Sequence, residues 1–185
     1  TVVPPLEVYG RYPLRTLPFP ITFYGQVFRE GALGMLCINN SGSVYLRRGG
    51  GDEECPTADV SIPPLLRDND AMPAVSYPGP YPNGLAVYWD LLGTRGKIYY
   101  QTLGTAPNRR LIVQWSGKDH ALYPNPARGV TFQVVFEEGT GKIHYVYDHL
   151  TFDVLAEPNP DMGGSATVGL FGYTIGLDFS NPDAP

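Results

Sequence analysis

The chain has 185 residues, of which 43% are hydrophobic, 12% aromatic and 17% charged, a composition that suits one domain with a sizeable core and excludes a disordered chain. Its formal net charge is −5, and its 13 Lys and Arg residues are scattered apart from Arg47-Arg48 and Arg109-Arg110, so it lacks the basic stripe that a nucleic acid or an anionic membrane surface requires. The longest apolar runs, such as Leu111-Ile-Val113, are far too short to cross a bilayer, which argues against membrane insertion by this segment.

Glycine (22) and proline (19) together exceed a fifth of the residues and follow no repeat, so they punctuate many short strands. Residues 1–16 carry Val3-Pro-Pro5 without an initiator Met or a secretory signal, and residues 174–185 end in Ser180-Asn-Pro-Asp-Ala-Pro185. Both ends read as linker or edge segments of a piece cut from a larger chain. Between them, period-two alternation or β-branched and aromatic runs mark strands at 19–28, 33–38, 43–47, 85–90, 96–103, 109–116, 130–137, 142–148 and 166–173. That spacing predicts an all-β fold, a single antiparallel β-sandwich domain over 1–185 with long Pro/Gly-rich loops.

Cys37 closes the second of these strands, and Cys55 lies beyond the Gly-rich segment that follows the third. Metal chelation wants closer spacing and further His or Cys ligands, so a disulfide is expected, with roughly 3 kcal/mol of loop-closure stabilisation. A bridge implies an oxidising compartment, hence an extracellular or cell-surface location. Residues 49–84 form the longest irregular stretch, which favours a recognition surface over a passive connector. Within it, Asp68, Asn69 and Asp70 offer alternating oxygens for a calcium ion but lack the Gly and distal Glu of a full calcium loop, which makes them a weak metal candidate; no other cofactor is expected. Tyr77, Tyr81 and the later Tyr123 sit in Pro- and Asn-rich loops. Rings that stack and hydroxyls that hydrogen-bond suit a protein or glycan partner, so these three are the candidate ligand-binding residues.

The strands at 96–103 and 109–116 should pair centrally in a sheet, with Ile98, Tyr100 and Thr102 facing Leu111, Val113 and Trp115. The clearest hairpin joins Val130–Phe136 to Lys142–Asp148 through Glu137-Glu-Gly-Thr-Gly141, whose glycines supply the positive φ of a tight turn. Chemistry is harder to find. No Gly-x-Ser-x-Gly elbow occurs, and Ser165 in Gly163-Gly-Ser-Ala-Thr lacks the second glycine. His120, His144 and His149 read as structural histidines, and adjacent Glu137 and Glu138 point to opposite faces of a strand and cannot act as a catalytic pair. No catalytic residue is assigned and the chain reads as a non-enzyme.

Several segments nevertheless resemble a known module. Leu17-Pro-Phe-Pro-Ile-Thr-Phe-Tyr-Gly25, Tyr88-Trp-Asp-Leu91, Ala106-Pro-Asn-Arg109 running to Val113-Gln-Trp115, Thr131–Gly141 and Gly164-Ser-Ala-Thr-Val-Gly169 look like the β-rich module of bacterial secreted and surface proteins, similar in pattern to nidogen-type extracellular domains. The resemblance spans about residues 17–170. It implies an extracellular sandwich inside a larger modular chain, used for adhesion or assembly beside other domains of the same parent, with no catalytic residues to transfer. The chain departs from that pattern at Asn39-Asn-Ser-Gly-Ser43 and at Leu91, where the family carries a second acidic residue. The expected function is a non-catalytic adhesion or assembly module of a surface, pilus or secreted protein, with an accessory carbohydrate- or substrate-binding domain of a secreted hydrolase as the alternative.

Overall fold

The computed structural model describes residues 6–8, 12–29, 34–47, 55, 83–125, 127–153, 160–171 and 176–178. Its strands are β1 (Leu6–Val8), β2 (Tyr12–Leu14), β3 (Ile21–Phe23), β4 (Gln26–Phe28), β5 (Met35–Ile38), β6 (Ser43–Arg47), β7 (Asn83–Trp89), β8 (Lys97–Leu103), β9 (Arg110–Lys118), β10 (Val130–Glu137), β11 (Ile143–His149), β12 (Thr167–Phe171) and β13 (Gly176–Asp178). Every pairing is antiparallel, in a five-stranded sheet ordered β1-β8-β9-β10-β11, a six-stranded sheet ordered β13-β12-β7-β6-β5-β2, and the small ribbon β3-β4. Among the described residues no helix is long and apolar enough to cross a membrane.

Alternation on the five-stranded sheet does what the sequence predicts. Val130, Phe132, Val134 and Phe136 are buried while their neighbours are half-buried, and Ile98, Tyr100 and Thr102 register with Trp115, Val113 and Leu111. Those inward residues meet Leu36, Ile38, Val44, Leu46, Leu85 and Val87 of the six-stranded sheet in one core. Tyr88 of the six-stranded sheet stacks across the core on Phe132 of the five-stranded sheet at 5.1 Å, and Phe132 stacks in turn on its sheet neighbour Trp115 at 5.0 Å. The protein is therefore an all-β antiparallel sandwich.

The middle of the six-stranded sheet, β5 to β7, is buried on both faces. Its outer side carries a second apolar cluster of Met35, Cys37, Tyr45, Ala86 and Phe171, and Cys55 is fixed onto it by the Cys37–Cys55 disulfide. A sheet covered twice has no polar face, which is why β5, β6 and β7 read as continuous apolar runs instead of alternating.

Two expectations are corrected, and for the end segments one of the two expected alternatives is found. The run 19–28 is a hairpin and not one strand, because Tyr24 and Gly25 take φ of 47° and 72° and turn the chain back between β3 and β4. Of the end segments, 1–16 contributes β1 and β2 and 174–185 contributes β13, and all three strands lie at sheet edges, so the described parts are edges and not linkers. The strand placed at 85–90 begins earlier, at Asn83. The turn at Asn39-Asn-Ser-Gly-Ser43 needs its glycine: Gly42 has φ 81°, and a Cβ there would collide with the Tyr88 carbonyl, which the Gly42 backbone approaches from beneath β7.

Candidate functional site

Polar side chains gather at the end of the sandwich where the β5–β6 turn, the β7–β8 connection and the end of β9 meet. Asn40 reaches across that gap, its Nδ2 donating to the carbonyls of Leu92 (3.1 Å) and Gly93 (3.0 Å). With both amide hydrogens fixed, Oδ1 is left to accept from the Lys118 Nζ at 2.7 Å. Lys118 is only 1% exposed, and desolvation pulls its ammonium down to about 8, with neighbouring Asp119 opposing the shift. Asp119 is itself buried and accepts from the Arg95 backbone N–H at 3.1 Å, with its own carbonyl taking the Gly93 N–H at 2.8 Å.

One residue further on, His120 is packed between the Tyr123 ring, stacked at 5.1 Å, and the edge of Phe152. Its Nδ1 accepts from the Leu122 N–H at 3.3 Å, and its buried Nε2 faces Asp90 Oδ1 at 3.7 Å without a hydrogen bond. The sequence reads this histidine as structural, and in the fold its Nε2 has no hydrogen-bond partner among the described residues. The Asp90 carboxylate accepts the Leu91 N–H at 2.8 Å and the Ser165 hydroxyl at 2.9 Å.

Ser165, Asp90 and His120 thus come together, but in the wrong order for acyl transfer. A nucleophilic serine hands its proton to an imidazole that a carboxylate orients. Here the carboxylate stands in the middle, the hydroxyl donates to it, and all three groups are buried. The arrangement braces the end of β7 against the segment entering β12, and leaves the serine proton on an acceptor that does not activate it.

The titration of Lys118 gives a measurable consequence. Below about pH 8 the amine is charged in both folded and unfolded chains and its desolvation cost is present in full. Between about 8 and the ordinary 10.5 the folded chain has released a proton that the unfolded chain still holds. Stability therefore rises with pH in that window, by on the order of 1 kcal/mol per pH unit from this group. Urea unfolding of wild type and Lys118→Met at about pH 8 and about pH 9 should show a steeper rise for wild type. Parallel slopes would mean that the amine keeps its ordinary affinity for the proton.

A second feature opens on the surface, a cleft of about 430 Å³ between the lead-in to β3 and the β10–β11 turn, lined in part by Phe19, Ile21, Glu137, Thr140, Lys142 and Ile143. Its turn is braced by Arg109, which grips Glu138 with bonds of 2.6 and 2.7 Å and lies over the Phe19 ring at 5.7 Å. The Arg109 hydrogen bond is the main reason the Glu138 carboxyl titrates below the usual range. Glu137 accepts from the Thr140 hydroxyl at 2.9 Å and faces His144 at 3.3 Å, and the Thr140 bond leads the lowering of its carboxyl. The two glutamates serve separate partners.

Of the candidates named from sequence, Cys37 and Cys55 are joined. Tyr123 is half-buried and its ring lies against His120. Tyr77, Tyr81, Asp68, Asn69 and Asp70 lie outside the described residues. Among the described residues no three His, Cys, Asp or Glu side chains converge to hold a metal ion. Sequence reasoning missed Lys118, Asn40 and Asp90. A lysine at a strand end looks solvated, and only the acidic residue of Tyr88-Trp-Asp hinted at an internal role.

A family model described as NIDO related matches residues 10–183. No curated protein and no solved structure matches the chain.

Proposed function

Since the chain belongs to the nidogen-related family, we propose that it is a non-catalytic extracellular module used for adhesion or assembly within a larger surface, pilus or secreted protein. The observation that carries this reading is the order of the internal polar groups: the Ser165 hydroxyl donates to Asp90 and not to His120. Its partners are a protein or glycan at the cell surface and the other domains of the parent chain. Tyr77 and Tyr81 remain the proposed anchors of that contact, and a calcium ion at Asp68, Asn69 and Asp70 remains a weaker proposal.

The alternative, an accessory carbohydrate-binding domain, is favoured by the surface cleft. There the half-buried Ile143 offers apolar surface beside the acceptors of Glu137 and the donors of Thr140 and Lys142, a mixture that suits a sugar ring. The test is a panel of esterase, peptidase and glycosidase substrates run beside a glycan array. No turnover is expected with wild type. Hydrolysis that vanishes in Ser165→Ala or His120→Gln would overturn the non-catalytic reading. Glycan binding that Thr140→Ala weakens would move the assignment to the carbohydrate-binding alternative.

A further inference from the structure

The outer edges of the two large sheets are not alike. β1, β2 and β13 are three residues long; β1 is guarded by the Glu7–Lys97 ion pair at 2.9 Å, and β2 carries Pro13. Short strands, charges and prolines are the usual protections of a sheet edge against another chain. β11 has seven residues, Ile-His-Tyr-Val-Tyr-Asp-His, with no Lys, Pro or Gly. Among the described residues it pairs on one side only, with β10.

Two hydrogen bonds fix which way its backbone points. Glu137 N–H donates to Lys142 O and Glu138 N–H to Arg109 O, so odd residues of β10 turn toward β11 and even ones toward β9. It follows that His144 and Val146 turn their backbone groups inward to β10, and Tyr145 and Tyr147 turn theirs outward. Among the described residues those outward groups meet no partner. The tyrosine side chains are already fixed: Tyr145 donates to Gly169 O at 2.8 Å and Tyr147 to Val87 O at 2.7 Å, which holds the strand straight against the six-stranded sheet. The bulge near Thr131/Phe132 lies beyond Tyr147 and leaves residues 143–147 regular.

We propose that β11 is a self-association edge, on which two copies of the chain pair antiparallel about a two-fold axis at Val146 and join their five-stranded sheets into one. The tyrosines on either side of that residue, Tyr145 and Tyr147, are symmetric about it. With the axis there, Tyr145 of each copy faces Tyr147 of the other, and these are the residues with free outward backbone groups, so each such pair exchanges both of its hydrogen bonds. Val146, 45% exposed, meets its own copy at the non-hydrogen-bonded position, where side chains approach most closely. Asp148 of the second copy, at the register shift that ends the regular stretch, lies toward His144, and an imidazole near a carboxylate is complementary whether the ring donates as the neutral or the charged form. Any other axis loses this match between side-chain pairing and backbone phase.

Sedimentation of the wild-type chain should show a monomer–dimer equilibrium. Val146→Lys places like charges against each other across the axis and should raise the dissociation constant by at least about tenfold, with an unchanged circular dichroism spectrum because the side chain is exposed. Val146→Cys should oxidise to a covalent dimer much faster than Thr140→Cys on the neighbouring turn. A wild-type chain that stays monomeric to millimolar concentration, a dimer that Val146→Lys leaves intact, or equal cross-linking of the two cysteine variants each overturns the proposal.

Discussion

Trp115→Ala is expected to lower the stability of the fold by about 3–5 kcal/mol, a large part of the roughly 5–15 kcal/mol that a domain commonly has. The indole is fully buried at the centre of β9, stacked on Phe132, and its Nε1–H donates to the Asn39 carbonyl at 2.8 Å. Removing it opens a cavity between the sheets and strands a buried carbonyl at the head of the β5–β6 turn. The two losses separate experimentally. Trp115→Phe retains much of the packing but not the donor, and should cost about 1–3 kcal/mol. Denaturant unfolding measures both variants; an Ala variant within about 1 kcal/mol of wild type would show that the indole does not hold the sheets together.

Replacing Cys37 and Cys55 together by Ala should cost about 3 kcal/mol from loop closure. The bridge spans a sequence separation of 18 residues, and both sulfurs lie in the cluster on the outer face of the six-stranded sheet. For a chain of this size the loss corresponds to a fall in thermal midpoint of roughly 6–12 °C. Calorimetry of the double variant tests it, with thiol titration of unfolded, unreduced wild type as the companion. An unshifted midpoint, or two free thiols in the wild type, would contradict the assignment.

Strands β8 to β11 could be read directly because one face meets the core and the other meets solvent, so period two survives in the sequence. β7 was harder, since Leu85-Ala-Val-Tyr88 is buried on both sides and a doubly covered strand shows no alternation. β1, β2 and β13 were too short to carry a pattern. The fold-back between β3 and β4 was hidden because tyrosine seldom takes positive φ, and no Asn-Gly or Asp-Gly pair announces the turn.

At the site, the cysteine pair followed from composition alone. Asp90 and Ser165 could not be paired from sequence, because they meet across 75 residues through the β7–β12 register. The residues behind the family resemblance, Trp-Asp at 89–90 and Gly-Ser-Ala at 164–166, prove to be joints between strands. Family identity is therefore written mainly in what holds this sandwich together.

The path of the chain between the two sheets bears on the order of assembly. β8, β9, β10 and β11 are neighbours both in sequence and in the sheet, whereas Leu6 must find Tyr100 and Ala86 must find Gly169. Closing a long loop loses more chain entropy than closing a short one, and contacts close in sequence form sooner. The four-strand meander over 97–149 is thus the part able to nucleate alone, and its exposed inner face becomes the template on which the six-stranded sheet condenses. Strands β1 and β12 close last, and the amides of β9 and β10, enclosed by neighbours on both sides, are the slowest to exchange with solvent.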